Sequence, residues 1–162
     1  MPALGADRKL VVALVALAGK IMGVETDLLN EAHKLRGEGK REEALSVIDK
    51  APEYTKGWNE TEYISLFSTF AGNICSDMKD FERAKYYYEL NLEWRHPADP
   101  FVLIHLGKVC HLLNNQELST SYFKRCYEIA AFKRRRTVLT TLRKQLKELG
   151  INPKEVFAER SR

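Results

Sequence analysis

The sequence predicts an all-α protein built of stacked helical hairpins, and three observations predict it. The first is one interval that recurs. Ala71-Gly72 is followed, twelve residues after the glycine, by Ala84 and four residues later by Tyr88. Leu106-Gly107 is followed at the same distances by Ser119 and Phe123, and Ala32 by Ala44 and Ile48. Self-similarity of this kind is the mark of a helical repeat. The second is apolar residues at helical spacing, punctuated by Gly and Pro between the copies. The third is composition: of 162 residues, 44% are hydrophobic and 30% charged, ordinary for a folded chain with a real core.

Each element follows in order. Leu10 to about Met22 reads as a helix, apolar almost all round and therefore covered. Arg8-Lys9 before it and Ala16-x-Ala18 within it also fit a secretory leader. The apolar run is too short to span a bilayer, which needs about 20 residues, and the reading taken is a buried first helix packed on the first repeat. Asn59-Glu60-Thr61 matches a glycosylation acceptor that matters only under the leader reading. Thr26-Asp27 can cap the helix Leu28 to Leu35, broken by Gly37 and Gly39. Its partner is Glu42 to Asp49, closed by Ala51-Pro52, and Glu53 to Asn59 reads as a loop.

That loop makes the first repeat step 40 residues (Ala32 to Gly72) against 35 for the second (Gly72 to Gly107). Glu62 to Met78 and Asp80 to Trp94 form the second hairpin. Pro97 and Pro100 punctuate the step to the third, where Pro100 suits a first helical turn. Phe101 to Leu113 and Glu117 to Ala131 form that hairpin, joined through Asn114-Asn115. A last long helix is expected from about Lys133 to Leu149, with Val138, Leu139, Leu142, Leu146 and Leu149 as its apolar stripe. Gly150 ends it, and Asn152 with Glu155 resembles a capping box for a final short helix. The whole is read as one domain, 1–162: an N-terminal helix (1–24), three repeats (25–131) and basic C-terminal capping helices (132–162).

Charge is unevenly spread. The net +4 conceals a segment from Lys124 onward with 12 Lys/Arg against 4 Asp/Glu, while the rest has 14 against 18. One end is therefore basic. Cys75, Cys110 and Cys126 give no even framework and no CxxC pair, so no disulfide scaffold is indicated. Cys75 and Cys110 each lie three residues after a repeat glycine, a place for a small buried hydrophobe. A cytoplasmic setting is expected.

These stretches resemble tetratricopeptide repeats. Ala71-Gly72-Asn73-Ile74 and Leu106-Gly107-Lys108-Val109 match the small pair of that motif's first helix, A. Asp80-Phe81-Glu82-Arg83-Ala84 with Tyr88 matches its second helix, B. The chain departs from the motif where Ser119 replaces alanine, where Cys75 and Cys110 replace an aromatic, and where the first repeat lacks the glycine. The resemblance, over about Glu25 to Ala131, implies a right-handed α-solenoid whose concave face is lined by A helices, with Leu10–Met22 and Lys133–Leu149 capping its ends.

The resemblance further implies a peptide-binding groove at A-helix positions not used in packing: Asn30, His33 and Arg36; Thr69, Phe70, Asn73 and Asp77; Phe101, His105, Lys108 and His111. Asn73 could hold backbone amides, Lys108 meet a carboxylate, and Phe70 or Phe101 serve as apolar anchors. The family's chaperone-tail clamp is not expected, since only Asn73 matches its residues, with Leu29 and His33 in the first-repeat places. A second candidate surface is basic: Lys133, Arg134, Arg136, Arg143, Lys144 and Lys147, dense enough to attract nucleic acid, another polyanion or an acidic protein.

Catalytic readings find little support. His105, Cys110 and His111 are spaced so that they do not share one helix face as metal ligands would. No HExxH, phosphate-cradling Gly loop or serine elbow occurs. The expectation is a non-catalytic adaptor without metal or cofactor that binds a peptide or protein surface. The alternatives are a polyanion-binding basic helix and a homo-oligomer joined through repeat ends.

Overall fold

The protein is described by a computed structural model covering residues 27–54, 60–94 and 98–157. The helix expected over Leu10–Met22, residues 55–59 of the expected loop with Asn59, and Pro97 lie outside the described residues. Every regular element among the described residues is an α-helix. These are α1 (27–37), α2 (Arg41–Tyr54), α3 (Glu60–Asp77), α4 (Phe81–Trp94), α5 (Pro100–Leu112), α6 (Gln116–Phe132), α7 (Arg136–Glu148) and α8 (Pro153–Val156). None of them is long and apolar enough to cross a membrane.

Internal contacts divide the chain into two compact units, Met1–Trp58 and Asn59–Arg162. In the first, Ala32 on α1 and Ala44 on α2 are completely buried, and Leu45 and Ile48 on α2 almost so. The expected stop at Ala51-Pro52 is corrected: α2 continues to Tyr54. Proline removes one N–H from the helical ladder, and here the helix runs on past that loss.

In the second unit α3 packs on α4, α5 on α6, and α4 on α5. Helix α7 then lies against both α5 and α6, and α8 closes on α6 and α7. The physical reason for the recurring interval is visible at the glycines. A Cβ on Gly72 would sit 2.5 Å from Cε1 of Tyr88, and one on Gly107 would sit 2.6 Å from Cδ1 of Phe123. Both rings are buried, so neither can swing aside into solvent. Each glycine is the seat of an aromatic ring sixteen residues later, and close packing leaves no room for a methyl group between them. The residue between, Ala84 or Ser119, is fully buried. The serine that departs from the repeat pattern is satisfied, because its hydroxyl donates to the Gly107 carbonyl at 2.7 Å.

The helices end in one recurring way. After α1, α3, α5, α6 and α7 the chain enters the left-handed region at Gly39, Lys79, Asn114, Arg134 and Gly150. The following N–H bonds back five residues, as in Asp80 N–H to Cys75 O at 3.0 Å, Asn115 N–H to Cys110 O at 2.9 Å and Ile151 N–H to Leu146 O at 2.9 Å. This pairing satisfies carbonyls that a helix end otherwise orphans. Two of the helices that follow are capped by a side chain: Asp80 accepts from Arg83 N–H and Asn115 from Leu118 N–H, each at 3.1 Å.

Two further expectations are corrected. The last long helix begins at Arg136, not Lys133; Lys133 to Arg135 form the turn, with Arg134 at φ 51°. The turn lets α7 fold back onto α5 and α6, burying Val138, Leu142 and Leu146 in a core with Leu103, Phe123, Cys126 and Ala130. Asn152 caps α8 through Lys154 N–H at 3.1 Å, and not through the N–H of Glu155 as the capping-box reading required.

All three cysteines are buried and outside any disulfide. Burial pushes the Cys110 thiol up to about 11 and that of Cys126 to about 12. These side chains act as small core residues.

Candidate functional site

Residues spaced along one face of α3 and one face of α5 meet at Tyr88. The tyrosine on α4 lies over Gly72, donates its hydroxyl to Asn73 Oδ1 at 2.8 Å, and stacks on the His105 ring with centroids 5.2 Å apart and planes 11° from parallel. One side chain thus ties α3 to α5 and fixes Asn73 and His105 on either side of itself. Burial first, and then the neighbouring Lys108 charge, hold the His105 imidazole below the ordinary histidine value, with Asp99 opposing.

The predicted groove residues divide into three groups. Asp77 and Phe101 are exposed, while Asn73, His105, Lys108 and His111 are half-buried. His111 also bonds Gln116 Oε1 through Nδ1 at 2.8 Å. Two others are turned inward. Phe70, expected as an apolar anchor, is only 7% exposed and belongs to the core. Thr69 is half-buried, donating to Ser65 O at 3.0 Å and accepting from Asn91 Nδ2 at 2.9 Å. That fully buried asparagine holds α4 to α3, since Nδ2 also donates to Ser65 O at 2.5 Å. Its Oδ1 has no donor among the described residues.

The third group, Asn30, His33 and Arg36, lies on α1 in the first unit; the first two are exposed and Arg36 is half-buried.

Sequence reasoning missed two members of this face. Leu66 on α3 and Leu112 on α5 are 43% and 39% exposed, beside Phe101 at 41%. Helical spacing puts Leu66 with Asn73 and Asp77, and Phe101 with His105, Lys108 and Leu112. The 35-residue step pairs Leu66 with Phe101, Asn73 with Lys108, and Asp77 with Leu112. That register, applied to apolar positions, could have found both leucines. The resulting face has apolar side chains toward its ends and a cation at its middle.

The predicted basic residues are all exposed: Lys133, Arg134, Arg136, Arg143, Lys144 and Lys147. Lys144 meets Glu148 at 3.9 Å, and the Arg143 guanidinium lies 5.9 Å from the centre of the Phe157 ring. Among the described residues no group of three His, Cys, Asp or Glu side chains could hold a metal ion. Compared with family models and with characterised proteins, the sequence matches none.

Proposed function

We propose that the protein is a non-catalytic, tetratricopeptide-like scaffold that holds an extended peptide segment of a partner against the exposed face of α3 and α5. The observation that carries this reading is the repeated hairpin. Two A helices, each seated on an aromatic of its B helix through a glycine, present side chains in one register. Stacked hairpins of this kind form a right-handed superhelix with a continuous inner surface and no enclosed pocket. An extended chain is the ligand that such a surface fits.

On this reading Phe101, Leu66 and Leu112 are apolar anchors, Lys108 meets a carboxylate of the ligand, and Asp77 meets a cation. Asn73 is a positioning residue held by Tyr88 and not a free clamp. The test is selection of a random displayed-peptide library on the purified protein, followed by affinity measurement against Phe101→Ala/Lys108→Glu. Both side chains reach solvent, so the fold should survive. Enriched peptides should lose roughly tenfold or more in affinity, the scale of one lost hot spot. Peptides that bind wild type and variant alike would remove this face from the proposal.

A further inference from the structure

We propose that the α6–α7 turn, together with the exposed ridge of α7, binds single-stranded nucleic acid, independently of the peptide face. Two observations meet there. Lys133, Arg134, Arg135 and Arg136 are consecutive and exposed, and no ion pair joins them to a carboxylate among the described residues. Directly before them, Phe132 ends α6 and is 88% exposed, the most open of the large hydrophobic residues among those described.

The cations continue along α7. Arg136, Arg143 and Lys147 fall on one line of the helix surface, spanning about 16 Å. The carboxylates on this helix and the next are few: Glu148, taken by Lys144, and Glu155 on α8. Four of the cations are arginines, whose planar fork pairs with phosphate in bidentate fashion.

The exposed ring decides among polyanions. In a duplex the bases are already stacked and have no face to offer, whereas a single strand can lay a base on an aromatic side chain. An anionic membrane attracts the same cations, but insertion also calls for an exposed apolar helix face. On α7 that face is spent, because Val138, Leu142 and Leu146 are buried against α5 and α6.

The test is fluorescence anisotropy with labelled oligouridine of about 20 nucleotides, titrated between roughly 50 and 200 mM salt. A duplex of equal length and phosphatidylserine vesicles serve as competitors. Engagement of the six cations at 133–136, 143 and 147 predicts a slope of log affinity on log salt near −4, and Arg134→Ala/Arg135→Ala/Arg136→Ala should reduce its magnitude by about 2. Phe132→Ala should weaken binding by roughly tenfold while leaving the slope unchanged. All four side chains are exposed, and circular dichroism is the check that each variant folds. No binding at the lowest salt, a slope indifferent to the arginines, an affinity indifferent to Phe132, or preferential capture by the duplex or vesicles would each overturn the proposal.

Discussion

Tyr88 shows how much a single position carries. Its ring fills the space that Gly72 leaves, its hydroxyl satisfies Asn73, and its face meets His105 across the step from one hairpin to the next. The histidine makes that step sensitive to acid. Its folded pKa is depressed by burial and then by Lys108, so the unfolded chain binds the proton more readily. The associated stability is complete above the unfolded value of about 6.5 and declines as pH falls below it. His105→Phe keeps a ring against Tyr88 and removes the titration. In urea denaturation at pH values between roughly 7 and 5, the variant should lose less stability than wild type. Equal losses would contradict this origin.

At the scale of the element, turns govern. Gly39 and Gly150 could be recognised in the sequence as helix stops, because glycine occupies the left-handed region at no steric cost. Lys79 and Arg134 occupy the same region without that advantage. This is why the start of α7 was misplaced: nothing in Lys133-Arg134-Arg135-Arg136 breaks a helix, and the turn follows from docking α7 on its neighbours. Replacing Lys79 by glycine removes a left-handed side chain that costs on the order of 1 kcal/mol. Lys79→Gly should therefore stabilise the protein by a few tenths to about 1 kcal/mol in chemical denaturation. A destabilised variant would show that the strain is absent. The exposure of the candidate face depends on the same kind of packing. The resemblance implied Phe70, Asn73 and Asp77 as one side of α3, but it could not say that Phe70 turns into the core while Leu66 stays in solvent. That depends on which neighbour covers each flank.

For the molecule as a whole, the helix hairpins were readable because undersized residues at fixed intervals have a single physical cause. The candidate surfaces were less so, since a face is defined by what does not cover it. Phe132 is an instance: in sequence it is one more apolar residue at the end of a helix, and its 88% exposure appears only once α7 has turned away. The central claim is that the hairpins are versions of one unit. Where the second and third repeats pair glycine with an aromatic, the first has Ala32 and Ile48, both buried. The first repeat's solution should then work in the third.

The direct measurement is a double-mutant cycle on Gly107→Ala and Phe123→Ile by urea denaturation. The added methyl meets the Phe123 ring, so Gly107→Ala alone should cost about 1–3 kcal/mol despite alanine's better helix propensity. Shortening the ring to isoleucine should relieve that clash, making the double variant more stable than the sum of the single losses by about 1 kcal/mol or more. A neutral Gly107→Ala, or losses that simply add, would contradict the seating of ring on glycine and the shared unit built upon it.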